Sequence, residues 1–218
     1  MIVTKIERQK QHPQRLNIYL DNEFAFGLHE EILYKARIRE GDTLDPPTIQ
    51  IIQSREEFRL AKDKALRLIG QRLRSEKELR LYLTEKEFDP DIIDNVIYEL
   101  QTKGFIDDRK FASAFVHDLQ ARTPAGKKML VQKLRLRGIA PTIIDETLNL
   151  NLPDDHEAEI AYAAALNILK RYRMTTNSIP EHKQRQRMAQ YLARHGFNWG
   201  IIGPVMKKLF SENIGAEG

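Results

Sequence analysis

Two stretches of this chain are rich in bases and contain no acid. Between Leu119 and Ile144 stand Arg122, Lys127, Lys128, Lys133, Arg135 and Arg137. Between His182 and Ser211 stand Lys183, Arg185, Arg187, Arg194, Lys207 and Lys208. The net charge is only +4, so the positive charge is concentrated and not general. One lysine on a helix is ordinarily just solvated. Two acid-free runs point to an anionic partner, either a phosphate backbone or an acidic protein surface. The expected anion-facing set is Arg122, Lys127, Lys128, Lys133, Arg135 and Arg137, together with Arg185, Arg187 and Arg194. Arg72, Arg74 and Lys77 extend it toward the N-terminus.

Other residues could do chemistry in principle, and none forms a catalytic constellation. Gly126-Lys127-Lys128 has the look of a phosphate loop, but Ala121 occupies the first glycine position and Lys128 the hydroxyl position. The six histidines show no spacing that puts two on one helical face. Asp107-Asp108 could be paired acids or metal ligands. A helix N-terminus accounts for them better, because carboxylates there accept free amides and oppose the helix dipole, with Asp108 the expected cap. Ser75 reads as a cap and not a nucleophile. Trp199 reads as core packing. Tyr82 and Tyr191 could stack on a base, though partial packing explains both. No cofactor, metal or catalytic activity is expected.

The elements that hold these residues repeat. Glu78–Leu100, Met129–Asn151 and Arg187–Leu209 superpose without a gap at offsets of 51 and 58 residues. The aligned columns are Leu79/Leu130/Met188, Leu83/Leu134/Leu192, Phe88/Ile139/Phe197, Ile92/Ile143/Ile201, Ile93/Ile144/Ile202, Val96/Thr147/Val205 and Ile97/Leu148/Met206. Two further columns are cationic or polar, Lys86/Arg137/His195 and Lys77/Lys128/Gln186, and would draw a stripe along a tandem array. A helical array presents surface in preference to a buried pocket.

Local signals mark the helix ends. Asp45-Pro46-Pro47 should start a short helix. The capping box Ser54-x-x-Glu57 should open another, running to about Arg72, and Ser75-x-x-Glu78 a third ending near Lys86. Asp89-Pro90 caps the next, closed by Lys103-Gly104. Gly138-Ile139-Ala140-Pro141 and Gly196-Phe197-Asn198-Trp199 are the matching breaks, and Met174–Pro180 should be a loop. Before the repeats, Leu16, Ile18 and Leu20 alternate with polar neighbours, as do Phe24, Phe26 and Leu28 after the turn Asp21-Asn22. Ile2, Thr4 and Ile6 could add a third strand, and residues 29–36 a short helix. Expected boundaries are a strand-rich extension at 1–44 and helical repeats at 45–104, 105–152 and 153–218. The absence of cysteine excludes disulfides and fits a reducing cytoplasm. No apolar run reaches membrane-span length, so no membrane partner is expected.

Certain motifs also resemble the RecX family of regulatory proteins. They are Arg72-Leu73-Arg74-Ser75-Glu76-Lys77-Glu78-Leu79 with Leu83, and Leu100-x-x-x-Gly104-Phe105-Ile106-Asp107-Asp108-x-x-Phe111-Ala112. Gly126 and Leu134-Arg135-Leu136-Arg137-Gly138-Ile139 complete them. The match is strong over roughly residues 58–150 and looser in the third repeat. The first repeat departs at Glu87, where the family usually has glycine. The resemblance implies a mainly α protein: three tandem three-helix units in an elongated curved array, behind a small N-terminal β-hairpin extension. It further implies a modulator of the RecA recombinase, usually inhibitory; a cytoplasmic monomer is expected. Such a protein lodges in the helical groove of the filament on single-stranded DNA. The site residues above come from charge and not from the family. A different reading is an autonomous duplex-binding protein using a helix-turn-helix, against which the cations spread over two repeats. A nuclease built on Asp107-Asp108 is a third.

Overall fold

The computed structural model describes residues 1–175 and 180–214. The chain divides into two compact units: residues 1–73 with 79–106, and residues 74–78 with those from Asp107 onward.

The first unit opens with an antiparallel sheet, β1 (Val3–Arg8), β2 (Arg15–Leu20) and β3 (Glu23–His29), in the order β1-β2-β3. Asp21 and Asn22 turn the β2–β3 hairpin with φ of 50° and 71°, the conformation that Asp and Asn tolerate best after glycine. Leu16, Ile18 and Leu20 all point inward and are buried. They pack with Leu28, with Ile32 and Leu33 of α1 (Glu30–Ala36), and with Ile52 of α2 (Pro46–Ile69). The register shifts between Ile18 and Tyr19, and Phe24 is left exposed with its ring edge-on to Tyr19.

The second expected helix start is absent, because α2 runs unbroken through Ser54. The partners of the box explain why. Glu57 does not reach back to Ser54; its carboxylate accepts the Asp89 amide at 2.9 Å. Its neighbour Glu56 is buried, ion-paired to Arg15 (2.8 Å) and Arg59 (3.1 Å), and accepts the His29 amide (2.9 Å). Tertiary bonds on that turn outcompete a local cap. One helix therefore serves two cores, Ile52 in the sheet core and Ala61 and Ala65 in the first repeat core.

Each repeat has three helices. The first uses the C-terminal half of α2, α3 (Glu76–Glu85) and α4 (Pro90–Thr102). The second uses α5 (Asp108–Arg122), α6 (Lys127–Leu136) and α7 (Pro141–Asn151). The third uses α8 (Asp154–Thr175), α9 (Glu181–Arg194) and α10 (Trp199–Ile214). Of the loop expected at Met174–Pro180, Met174 and Thr175 end α8, Pro180 precedes α9, and residues 176–179 lie outside the described residues. Leu83, Leu134 and Leu192 are fully buried, and so are Leu79, Leu130 and Met188.

The columns have a backbone cause. The middle helix of every repeat ends in a residue with positive φ: Glu87 (60°), Gly138 (81°) and Gly196 (85°). The next amide then returns to a carbonyl of the last turn: Phe88 to Leu83, Ile139 to Leu134 and Phe197 to Leu192, at 3.2–3.3 Å. This helix stop brings the apolar residue after the turn onto the leucine of the last turn, which is why those two columns travel together.

Candidate anion-facing surface

Most of the expected anion-facing residues stand on α6 and α9, in the second and third repeats, and a junction fixes how α6 is seated. At its N-terminus the Gly126 amide donates to the His195 carbonyl (2.9 Å) and the Lys128 amide to the Gly196 carbonyl (3.1 Å). The amide between them, on Lys127, donates to the Glu157 carboxylate at 2.9 Å. Three of the four amides that a helix start leaves open are thus satisfied from the following repeat. There is no room for side chains here. A Cβ on Gly126 would lie 2.5 Å from the Gly196 backbone, and one on Gly196 would lie 2.3 Å from the Met129 nitrogen.

The start of α3, which belongs to the second unit, meets the helix stop and first helix of the second repeat in a related way. Ser75 Oγ accepts the Glu78 amide (3.2 Å), as a capping serine does, and donates to the Arg137 carbonyl (2.8 Å). The Glu76 amide donates to Asp108 (2.9 Å), and Lys77 donates to the Leu136 carbonyl (3.3 Å). A Cβ on Gly138 would lie 2.6 Å from Lys77.

Asp108 is therefore not the cap of its own helix. Asp107 is, accepting the Arg109 and Lys110 amides at 3.0 and 3.1 Å. Those amide bonds hold the Asp107 carboxyl below the usual carboxylate range. Burial pushes Asp108 and Glu157 the other way, above it. One Glu157 oxygen is buried with no partner among the described residues. All three acids are spent on helix ends, and among the described residues no cluster of acids and histidines could hold a metal.

The junctions sort the expected cations. Lys77 lies along the Gly138 turn, and Lys127 is ion-paired to Asp154. Arg137 stacks on Phe115 (4.2 Å), donates to the Lys133 carbonyl and lies 3.9 Å from Glu78. Arg122 pairs with Asp118, and Arg185 with Glu181 while covering Phe210. Arg72 donates to the Leu73 carbonyl in the first unit, and Arg74 is half-buried. The remaining five, Lys128, Lys133, Arg135, Arg187 and Arg194, have no carboxylate within 4.0 Å among the described residues. All five are exposed except half-buried Lys133. Lys128 and Arg135 stand seven residues apart on α6, and Arg187 and Arg194 seven apart on α9, so each pair shares a helix face.

The two pairs fall in neighbouring columns, since Lys128 aligns with Gln186 and Arg135 with Ala193. The side chains of the Lys86/Arg137/His195 column each lie against a ring: Lys86 over Tyr82 (5.8 Å), Arg137 over Phe115, and His195 tilted against Tyr191 at 3.9 Å with Nδ1 against its carbonyl. Those side chains fold back onto aromatic neighbours. Tyr82 and Tyr191 are half-buried against their repeat cores, as expected.

Trp199 is not core. It is 70% exposed, at the first position of α10. The alignment carried the signal, because its column holds Pro90 and Pro141, outward first-turn residues of α4 and α7. No helix among the described residues is long and apolar enough to cross a membrane.

Known proteins agree with this architecture. Residues 1–45 match the regulatory protein RecX N-terminal domain. Residues 61–100, 107–148 and 158–206 match the first, second and third RecX three-helix domains. The chain is 35% identical to regulatory protein RecX of Clostridium acetobutylicum over 97% of both chains. It is 30% identical to regulatory protein RecX of Bacillus subtilis over 97% of this chain and 78% of the relative. Among solved structures, a crystal structure of regulatory protein RecX superposes with a TM-score of 0.74 at 28% identity, covering 94% of this chain and 98% of that one. RecX from Lactobacillus salivarius superposes with a TM-score of 0.64 over 70% of this chain and 96% of the other, at 23% identity, a likeness of fold alone. With its N-terminal sheet, its three three-helix repeats and this similarity along nearly its whole length, the chain belongs to the RecX family of regulatory proteins.

Proposed function

We propose that this protein is a cytoplasmic, monomeric regulator that binds RecA filaments on single-stranded DNA in their helical groove and inhibits ATPase and strand exchange. It acts by occupancy, without cofactor or catalytic step. The observation that supports this most directly is the set of cations on α6 and α9 that have no carboxylate partner among the described residues. Lys128, Lys133, Arg135, Arg187 and Arg194 belong to the middle helices of successive repeats, and the two acid-free runs carry no carboxylate to neutralise them. Spread over two repeats, they suit a continuous anionic track better than the single recognition helix of a duplex reader.

The test is titration of the protein into RecA ATPase and strand-exchange assays on single-stranded DNA. Dose-dependent inhibition is expected, with the variant Lys128→Glu/Lys133→Glu/Arg135→Glu much weaker. No effect of the wild type on either assay, or a footprint on duplex DNA without RecA, would rule the reading out.

A further inference from the structure

Trp199 is the single tryptophan of the chain, and its surroundings are unusual for an indole left in water. An exposed indole is a large flat apolar face with a polar N–H at its edge. Gly203, one turn on, is exposed, with nothing within 4 Å of where a Cβ would stand, and Gly200 is exposed beside the Asn198 side chain. Pro204 lies inside the helix and has no amide hydrogen to donate to the Gly200 carbonyl. Two turns from Trp199, Lys207 is exposed with no ion-pair partner among the described residues. Its neighbour Lys208 is turned over Tyr162. From His182 to Ser211 there is no acid to repel a phosphate.

We infer that this face of α10 is a stacking site for an unpaired nucleobase of a single strand: the base lies on the Trp199 indole over the glycine-lined surface, and Lys207 meets a flanking phosphate. A flat aromatic ring beside an acid-free cationic side chain is the recurring means of holding single strands without reading sequence, because every base offers a π-face. A duplex, its bases already stacked and paired, offers nothing to the indole. The inference rests on the proposed anion-facing role only for its choice of ligand and needs no RecA.

The full-length protein carries its own reporter, since all tryptophan fluorescence comes from Trp199. Titration with short oligo(dT) should quench that emission saturably, and salt should reverse it. A duplex, or an abasic strand of the same length, should leave it nearly unchanged. By fluorescence anisotropy of a labelled oligo(dT), Trp199→Ala should weaken binding about tenfold, as loss of one stacked base does, while Trp199→Phe keeps most of the affinity. Lys207→Gln should weaken it too and flatten its salt dependence. Oligo(dT) binding with no quenching, equal quenching by the abasic strand, or unchanged affinity in folded Trp199→Ala would overturn the inference. So would quenching that appears only when RecA filaments are added, since the indole would then meet protein. These outcomes leave the filament reading standing, because that one is decided by RecA assays on the α6 variant.

Discussion

The α-carbons of Gly126 and Gly196 occupy one junction, and neither residue leaves space for a Cβ on the other's side. Gly126 would drive a methyl into the Gly196 backbone, and Gly196 would drive one into Met129. This explains an irregularity in the repeats. Glu87 stands in the same column as Gly138 and Gly196 and has the same left-handed backbone, yet carries a long side chain. The turn alone therefore accepts a non-glycine residue. What demands glycine at 138 and 196 is the helix start packed against it, Lys77 in one case and Met129 in the other. Glu87 is exposed.

Three substitutions separate these contributions. Gly104→Ala adds a methyl in open space at φ 72° and should cost about 1–2 kcal/mol of backbone strain. Gly196→Ala adds a clash with backbone and should cost about 3 kcal/mol or more. Glu87→Gly should stay within about 1 kcal/mol of wild type, the relief of strain offsetting the added freedom of the unfolded chain. Urea denaturation ranks the three, and equal losses for Gly104→Ala and Gly196→Ala would remove the junction from the explanation.

Leu83, Leu134 and Leu192 hold one position in three cores, each fully buried beneath its helix stop. Alanine at any of them should cost about 2–5 kcal/mol, the range for large-to-small changes in a closed core. A loss below 1 kcal/mol at one site, measured by equilibrium denaturation, would mean that its repeat collapses around the gap.

Glu157 is the carboxylate whose burial opposes ionisation while it accepts the Lys127 amide. Because its folded pKa is raised, the native state holds its proton more tightly than the unfolded chain. That contribution is full at low pH and is lost as pH rises from the ordinary carboxylate range through the raised value. Glu157→Gln keeps an acceptor but cannot ionise. Its stability relative to wild type should therefore increase with pH across that window, in paired melts at successive pH values. Glu157→Ala leaves the Lys127 amide unpartnered and should be less stable than Glu157→Gln by about 1–3 kcal/mol.

Lys127 and Lys128 are adjacent in sequence and should behave differently. Lys128→Glu/Lys133→Glu/Arg135→Glu reverses three charges with no carboxylate partner, and its melting temperature should stay near that of wild type. Binding to RecA–DNA filaments should fall sharply, with a shallower salt dependence than wild type. Lys127→Glu sets an acid beside Asp154 and Glu157, so it should lower stability without a comparable loss of binding. A folded triple variant that binds as well as wild type would remove this face of α6 from the contact surface.

What the sequence determined by itself is the part of the protein that local chemistry controls. Asp-Asn at the hairpin, Asp89-Pro90 and the cap that Ser75 gives the Glu78 amide act within a few residues of themselves, and the apolar columns follow from helix periodicity and a shared helix stop. The three repeats, their register and the strand-rich start were legible for that reason. The tertiary structure decided everything that depends on a partner distant in the chain. It turned Ser54-x-x-Glu57 into helix interior because Glu56 and Glu57 bond to β2, the end of β3 and the start of α4. It gave Asp108 to the Glu76 amide and left capping to Asp107. It consumed Lys77, Lys127 and Arg137 in junctions while leaving Lys128, Lys133 and Arg135 open, and it set Trp199 facing outward. A charge or a ring reads the same in sequence whether or not its counterpart lies across a fold, and only packing reveals which of them remain available.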